Sequence, residues 1–227
     1  MSDSNQLVIF DCDGTLVDSQ HMIIDAMHAT YDKLKLDREA DMRVRSVVGL
    51  SLVEAMAMLR PEDDPDFHAH MAELYKREFY RLRVEEAAAP DPLYAGAREA
   101  IVALKDAGYL LGVATGNSRR GLDRVIAEHS LDGYFVTLQT ADGHPSKPHP
   151  SMIEVAVAET GADMAGTVMV GDTSYDMMMA RSAGCHGVGV VWGYHSREEL
   201  AGAGAHTILD EFAGLPPLVS LLGNDRE

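Results

Sequence analysis

One early stretch decides the fold of this chain: Leu7-Val8-Ile9-Phe10-Asp11-Cys12-Asp13-Gly14-Thr15-Leu16-Val17-Asp18-Ser19. Its four leading apolar residues predict a strand covered on both faces, typical of a parallel sheet, and Gly14 permits a sharp turn directly after it. Side chains alternate along an extended chain, so Asp11 and Asp13 share one face. Because like charges this close raise a pKa or recruit a cation, the pair predicts a metal site, an acid/base role, or both.

The charge balance excludes two classes of partner. The chain has 227 residues and a formal net charge of −17, with 36 Asp and Glu against 19 Lys and Arg. Nucleic-acid backbones and anionic membranes both select clustered Lys and Arg, so neither is an expected partner. The length exceeds one average domain without reaching two large ones, which indicates a main domain with a modest insert.

The N-terminal residues and the cysteines give no sign of export. Met1-Ser2-Asp3-Ser4-Asn5-Gln6 lacks the cationic start and long apolar core of a signal peptide, and no later apolar run approaches membrane-spanning length. We therefore expect a cytoplasmic protein. Cys12 and Cys185 both lie in apolar runs and form no CxxC pair, so we expect two small buried hydrophobes.

A helical insert is predicted directly after the first stretch. Apolar residues recur at helical spacing from residue 21 to about residue 84, and no strand pattern interrupts them. The expected helices cover 21–31, 47–59 and 67–82, and two prolines with several acids mark a loop at 60–65. The predicted division is an α/β core domain at 1–15 and 90–227 and a small all-helical cap domain at 16–89.

Helices and strands alternate from residue 93 onward. Four further strands are expected over 109–114, 134–138, 167–170 and 186–191. The intervening helices are expected at 97–107, 119–129, 151–160 and 175–183. This alternation predicts an α/β fold, a doubly wound, Rossmann-like parallel sheet with ligands beyond the carboxyl ends of its strands. The tail, 223–227, is expected to fray.

Four motifs resemble those of the haloacid dehalogenase (HAD) superfamily. They are Asp11-Cys12-Asp13-Gly14-Thr15, Thr115-Gly116-Asn117-Ser118, Ser146-Lys147-Pro148-His149-Pro150 and Gly171-Asp172-Thr173-Ser174-Tyr175-Asp176. Their order, spacing and place beside predicted strands agree with that family over the whole chain. The insert after the first motif is similar to the superfamily's helical cap, so the resemblance implies a HAD-like core carrying such a cap.

The resemblance implies a role for each acid. Asp11 matches the nucleophile that forms an aspartyl-phosphate, and Asp13 the acid/base that protonates the leaving oxygen and then activates water. Mg²⁺ takes hard oxygen ligands, so Asp11, Asp13, partly through its backbone carbonyl, and Asp172 are the expected metal ligands. Asp176 is expected behind them, orienting Lys147 or a metal-bound water.

The resemblance also implies a phosphate pocket. Thr115 with the amides of Gly116 and Asn117 matches it, because a hydroxyl and amides at a helix N-terminus bind anions without formal charge. Lys147 adds a positive charge that offsets the acidic cluster and stabilises both nucleophile and phosphate. Catalysis is therefore assigned to Asp11, Asp13 and Lys147, and phosphate binding to Thr115, Gly116, Asn117 and Lys147.

Three features favour hydrolysis of a phosphomonoester within the superfamily. Asp13 is present where true dehalogenases lack a carboxylate, and the cap stretch 47–54 has no lysine of the kind that phosphonate-cleaving members use. Sugar-phosphate mutases typically carry Arg near Leu52 and Glu in place of Gly171. The chain thus resembles the phosphoglycolate phosphatase-like group, which implies a small-molecule phosphate ester as the partner and Mg²⁺ as the cofactor.

Three alternatives stay open. The chain resembles β-phosphoglucomutase-like phosphosugar mutases, or it is a catalytically silent HAD protein that binds a phosphorylated ligand. The retained acids and Lys147 speak against the silent protein. A response-regulator receiver also combines clustered acids, Thr and Lys, but it has no helical insert and its phosphorylated Asp follows a later strand.

Overall fold

The computed structural model describes residues 6–224 and contains a six-stranded parallel sheet. Its strands are β1 (Leu7–Phe10), β2 (Leu110–Thr115), β3 (Thr137–Thr140), β4 (Val168–Gly171), β5 (His186–Val190) and β6 (Thr207–Leu209). They lie in the order β3-β2-β1-β4-β5-β6. The order reverses between β1 and β4, the switch point beyond which ligands bind in open α/β sheets. The predicted doubly wound α/β fold is confirmed.

β1 is buried on both faces, as its apolar run predicts. Leu7 and Ile9 pack into one apolar cluster, and Val8 and Phe10 into the cluster on the opposite face. Ile9 pairs in register with Gly112 of β2 and with Met169 of β4. A neighbouring strand at each edge and an apolar cluster on each face therefore hold β1 in place. The residues that follow β1 start from a rigid position.

Two strands differ from the sequence prediction. The strand expected at 134–138 begins only at Thr137, because Tyr134 and Phe135 pack against the apolar cluster after Gly133, whose φ is +75°. β6 was not predicted, since it has three half-buried residues at the sheet edge and no run long enough to give a pattern.

The insert consists of four helices and a terminal π-helical turn. They are α1 (Gln20–Leu34), α2 (Asp41–Arg45), α3 (Leu52–Leu59), α4 (Pro65–Tyr80) and the turn Arg81–Glu85. They bury an apolar cluster of their own, with Tyr31, Met56 and Met71 at its centre. Asp64 caps α4 by accepting a hydrogen bond from the Phe67 amide, and Pro65 opens the helix.

The helix predicted at 47–59 is wrong in its first half. Residues 46–51 form a loop between α2 and α3, and Gly49 within it has a φ of +97°, which glycine adopts without strain. The apolar residues of this loop are buried and keep the spacing of a helix, so the sequence pattern shows no break. The loop presses on the sheet domain, since a Cβ on Gly116 would lie 2.6 Å from the carbonyl oxygens of Gly49 and Leu50.

Six helices cover the sheet. They are α5 (Ala97–Asp106), α6 (Arg119–Glu128), α7 (Ser151–Thr160), α8 (Ser174–Ala183), α9 (Arg197–Ala203) and α10 (Leu215–Asn224). The last two were not predicted. The tail expected to fray overlaps α10 at residues 223 and 224, and 225–227 lie outside the described residues. Within 6–224, no helix has the length and hydropathy needed to cross a bilayer.

The insert is connected to the sheet domain by two adjacent segments of the chain, 16–18 and 92–94. The Asp18 amide donates to the Pro92 carbonyl at 2.9 Å, and the Tyr94 amide donates to the Leu16 carbonyl at 3.0 Å. Leu16 and Val17, which the sequence-derived boundary places in the cap domain, are buried in the cluster beneath the sheet. Both cysteines are buried, and burial raises the pKa of each thiol.

Candidate active site

Three buried carboxylates meet at the switch point of the sheet. Asp11 follows β1 and Asp172 follows β4, and the Asp11 amide donates to the Val170 carbonyl at 2.9 Å. Asp176 lies in the first turn of α8. Each of the three acids offers an oxygen within 4.8 Å of the others. The Asp13 side chain does not belong to this group, unlike the predicted metal set of Asp11, Asp13 and Asp172.

Asp11 carries the least satisfied carboxylate of the group. It is 1% exposed, and no backbone amide or hydroxyl of residues 6–224 donates a hydrogen bond to either oxygen. Lys147 Nζ nevertheless lies 2.8 Å from its Oδ1 and forms an ion pair with it. Burial raises the pKa of Asp11 to about 7, although the Lys147 charge opposes that rise. In its ionised form, which Lys147 favours, the Asp11 carboxylate can accept a cation or attack an electrophile.

Lys147 is fully buried between two carboxylates. Its Nζ lies 2.8 Å from Asp11 Oδ1 and 2.7 Å from Asp176 Oδ1. Burial on its own would lower the pKa of Lys147, but the two carboxylates outweigh it and raise the pKa, so the ammonium stays charged. Two of its three donors are directed at these acids, which leaves one for the predicted phosphate contact.

Asp176 combines two structural tasks. Its Oδ1 accepts from Lys147, which agrees with the predicted orienting contact, and its Oδ2 accepts from the amide and hydroxyl of Thr173. The Thr173 hydroxyl in return accepts from the Asp176 amide and completes a capping box at the start of α8. Because both of its oxygens have donors, Asp176 is less available to a cation than Asp11.

Asp172 is held by contacts that only glycine neighbours permit. Its Oδ1 accepts from the Thr15 hydroxyl at 2.7 Å, and its Oδ2 accepts from the Tyr194 amide at 2.9 Å. A Cβ on Gly14 or on Gly193 would lie 2.3 or 2.2 Å from Asp172 Oδ2. Burial raises the pKa of Asp172 well above its usual range.

Asp13 is positioned by Ser19, which the sequence analysis missed, and by Asn117, which it assigned only to phosphate binding. Its Oδ1 accepts from the Ser19 hydroxyl at 2.7 Å, and its Oδ2 accepts from Asn117 Nδ2 at 3.1 Å. The Ser19 hydroxyl also lies 3.1 Å from the Tyr194 hydroxyl. Ser19 stands in the opening stretch, but the predicted boundary assigned it to the cap domain at 16–89. Tyr194 lies beyond β5, and no local pattern connects it with Asp13.

The predicted phosphate pocket lies where β2 leads into α6. Thr115 is 1% exposed, and its hydroxyl accepts from the Asn117 amide at 3.2 Å. That amide, predicted to bind phosphate, is therefore directed at Thr115 in this structure. The Ser118 side chain caps α6 by accepting from the Gly121 amide. Thr115, Gly116 and Asn117 all line the cavity described below.

The insert loop 46–51 is tied to the sheet domain over the acids. The Ser46 carbonyl accepts from the Tyr175 hydroxyl at 3.0 Å and from His195 Nε2 at 3.3 Å. The Ser51 amide donates to the Ser146 hydroxyl at 2.8 Å, one residue before Lys147. The insert therefore stands closed over the site.

A cavity of about 430 Å³ lies between the insert and the sheet domain. Asp11, Asp13, Thr115, Gly116 and Asn117 form one of its walls. Lys147, Asp172 and Asp176 are buried and are not among the residues that line it. The structure thus brings all eight predicted site residues to one place, five on the cavity wall and three behind it.

The donor set fits a hard divalent cation. Buried carboxylates and carbonyls are the ligands that Mg²⁺ prefers, and no His or Cys belongs to the described group that would favour zinc. The clustering is the clearest sign, because three carboxylates this close and this deeply buried need cationic partners. Lys147 alone must otherwise balance three acids.

Comparison with known proteins gives one family. The family model described as "Haloacid dehalogenase-like hydrolase" matches residues 8–190. "Probable phosphatase IndB" of Dickeya dadantii is 35% identical over 209 residues, covering 91% of this chain and 90% of that protein. A phosphoglycolate phosphatase of Photobacterium profundum is 27% identical, covering 95% of this chain and 96% of that protein.

Solved structures show the same architecture. The crystal structure described as "a predicted phosphatase from Clostridium acetobutylicum" superposes with a TM-score of 0.84 at 25% identity. The match covers 96% of this chain and 100% of that one. The likeness therefore includes the helical insert as well as the sheet.

Proposed function

Because the chain belongs to the haloacid dehalogenase-like hydrolases, we propose that it is a Mg²⁺-dependent phosphatase that hydrolyses a small organic phosphomonoester through an aspartyl-phosphate on Asp11. The relatives named phosphatase confirm the coarser prediction of a phosphoric monoester hydrolase. One observation carries the finer proposal. Asp11, whose one close donor among the described residues is Lys147, lies on the wall of a cavity where Asp13 stands as a second acid.

The proposed chemistry divides between the two acids. An Asp11 oxygen attacks phosphorus, the bond from phosphorus to the ester oxygen breaks, and Asp13 gives its proton to the leaving alcohol. Asp13 then takes a proton from water as the water oxygen attacks phosphorus, which releases phosphate and restores Asp11. Ser19 and Asn117 fix Asp13 for both proton transfers, and the Lys147 charge favours the ionised form of Asp11 that attacks.

Asp11 and Asp172, with the Asp13 carbonyl, are the groups proposed to hold Mg²⁺. When bound, the cation would neutralise charge on the transferring phosphoryl group. The Asp13 side chain and Asp176 are both directed elsewhere, the first to Ser19 and the second to Lys147 and Thr173.

The structure supports hydrolysis over the mutase alternative at one position. A Cβ on Gly171 would lie 2.3 Å from Asp176 Cγ, so a glutamate there would displace the partner of Lys147. Gly171 therefore leaves the space that Asp176 needs beside Lys147. No feature of the described residues gives comparable support to the mutase.

The direct test is phosphate release from a panel of phosphorylated small molecules with Mg²⁺. We expect wild type to hydrolyse at least one of them with kcat/KM above roughly 10⁴ M⁻¹s⁻¹. Absence of turnover across a broad panel, with the folded protein and Mg²⁺ present, would overturn the proposal.

Replacing Asp13 by asparagine is expected to separate the two steps. With p-nitrophenyl phosphate the leaving phenolate needs no proton, so the first step continues while attack by water slows by about 10²–10⁴-fold. We expect a burst of p-nitrophenolate close to one equivalent per enzyme, followed by slow turnover. Stopped-flow absorbance measures both phases.

The matched control is Asp25→Asn, an exposed acid on α1. It should give wild-type steady-state kinetics without a burst. A variant Asp13→Asn that turns over alkyl and aryl esters as fast as wild type would remove Asp13 from the mechanism.

Binding of Mg²⁺ is expected to stabilise the protein. At a concentration 100 times its Kd, a ligand of the native state adds about 2.7 kcal/mol to the free energy of unfolding. For a chain of this size that corresponds to roughly 5–10 °C in Tm. Differential scanning fluorimetry after chelation, with and without Mg²⁺, measures the shift.

The shift should be lost in Asp172→Asn and retained in Asp25→Asn. Chelation should also stop phosphate release, and Mg²⁺ should restore it. An equal rise in Tm for Asp172→Asn would show that the cation binds elsewhere.

A further inference from the structure

The cavity has two chemically different walls. The sheet domain contributes the polar wall with Asp11, Asp13 and Thr115, and the insert contributes an almost wholly apolar one. That second wall includes the following side chains: Ile23, Met27, Leu52, Val53, Phe79 and Tyr80. A volume of about 430 Å³ lies in the range of pockets that enclose a ring-sized molecule. A bound phosphate group would contact only the polar wall, so it does not explain why the other wall is apolar.

Apolar side chains of the insert remain uncovered at this cavity. Tyr80 is 42% exposed and Val53 is 43% exposed, and both line it. Large apolar groups left open beside polar chemistry are typical of ligand-binding surfaces. A phosphate ester with a two-carbon acid as its body would cover little of this wall.

Aromatic rings and guanidinium groups meet at the same wall. Arg124 of α6 places Cζ 5.1 Å from the centroid of the Phe79 ring, and Arg120 places Cζ 5.1 Å from that of Tyr80. The Tyr75 and Phe79 rings lie 6.0 Å apart. Arg83 also lies over the Phe79 ring, with Cζ 5.7 Å from its centroid. The wall is thus a stack of flat aromatic and guanidinium groups, and a planar ring can extend such a stack or pack against its edge.

Arg124 is poorly satisfied by the protein. Its Nε is buried without a hydrogen-bond partner among the described residues, and its nearest carboxylate is Glu128 at 3.7 Å. Arg119, on the same helix, instead pairs with Asp123 at 2.7 Å and does not line the cavity. That Nε is itself shielded from the cavity, so what Arg124 offers the cavity that it lines is the positively charged guanidinium group stacked on Phe79.

We infer that the substrate is a phosphomonoester with a planar ring body, and that Phe79 and Arg124 select it. This inference rests on the proposed function. The phosphate lies against Asp11 and Thr115, and the ring extends across the apolar wall toward Phe79. The preferred class is therefore distinct from short carboxylic acid esters such as phosphoglycolate.

The test compares esters with similar leaving alcohols, so that intrinsic reactivity does not decide the result. We use 2-naphthylmethyl phosphate, ethyl phosphate and phosphoglycolate with wild-type enzyme and Mg²⁺. We expect kcat/KM for the naphthylmethyl ester to exceed that of either other ester by at least about tenfold. Equal or higher kcat/KM for phosphoglycolate would overturn the inference.

Variants then test the residues. The ratio of kcat/KM for the naphthylmethyl ester to that for ethyl phosphate should fall about 5–10-fold in Phe79→Leu, which keeps apolar volume, and in Arg124→Gln. The control Arg119→Gln should keep the wild-type ratio. A ratio unchanged in both cavity variants would overturn the role of this wall.

A binding measurement separates this inference from the proposed function. Calorimetry with 2-naphthylmethylphosphonate and methylphosphonate needs no turnover. Tighter binding of the naphthyl compound to wild type, weakened in Phe79→Leu, supports the ring site even if no ester is hydrolysed and the proposed function fails. Equal binding of the two phosphonates would overturn the ring site itself.

Discussion

Replacing Asp11 by asparagine is expected to lower kcat by at least about 10⁴-fold, because the attacking oxygen becomes an amide oxygen that cannot form the phosphoenzyme. The variant should fold, since asparagine keeps the shape of a side chain that is 1% exposed. It also removes a charge that burial disfavours, as the pKa of Asp11, raised to about 7, indicates. Phosphate release and a Tm scan in chelator measure the two effects.

The control is again Asp25→Asn, which changes the same atoms on an exposed part of α1. It should keep wild-type kcat and Tm. If Asp11→Asn folds, binds Mg²⁺ and retains more than a tenth of wild-type kcat, the nucleophile is a different residue.

Replacing Lys147 by methionine is expected to affect both stability and activity strongly. The ammonium separates and neutralises Asp11 and Asp176, at 2.8 and 2.7 Å. Removing one partner of a buried ion pair leaves an unpaired charge and costs about 3–5 kcal/mol. That corresponds to roughly 6–20 °C in Tm for a chain of this length. Activity should be lost with the charge.

Two further variants separate charge from packing. Lys105→Met removes an exposed ammonium that donates to the Gly133 carbonyl, and should leave Tm within about 2 °C of wild type. The double variant Lys147→Met with Asp176→Asn should regain part of the lost Tm, because one unpaired acid is gone, but no activity. A double variant no more stable than Lys147→Met would refute the charge explanation.

The fold was predictable where a local pattern has one physical cause. The run Leu7–Phe10 is apolar at every position because both faces of β1 are covered, so the strand, its burial and the acids at its end all follow. The alternation of strands and helices after residue 93 likewise leaves few topologies. The motif residues were found through their resemblance to the HAD motifs, most of which directly follow a strand or lie in the first turn of a helix.

The remaining features depend on contacts between distant parts of the chain. The break at residues 46–51 was missed because the loop is buried and keeps the apolar spacing of a helix. The contacts of Asp13 with Ser19 and Asn117 join residues up to 104 positions apart, and no local sequence pattern predicts them. Arg124 was not singled out, because the ring that it stacks on, Phe79, belongs to α4 of the insert and lies 45 positions earlier in the chain.

The division of labour among the acids was only partly accessible. Spacing put Asp11 and Asp13 on one face, but β1 ends before Asp11, and the turn at Gly14, φ +88°, sends the two side chains to different partners. Asp11 lies with Asp172 and Asp176, and Asp13 with Ser19 and Asn117. Side chains alternate between two faces only within a strand, so this rule could not place residues that lie beyond Phe10.

The central claim is that phosphate passes through Asp11, and its most direct test is chemical trapping. The Asp13→Asn variant is mixed with p-nitrophenyl phosphate and Mg²⁺, quenched in acid, reduced with borohydride and digested for mass spectrometry. Reduction converts an aspartyl-phosphate to homoserine, so we predict homoserine at position 11 in proportion to the burst. Phosphate found on a serine, threonine or histidine, or a burst with Asp11 unchanged, would contradict the claim.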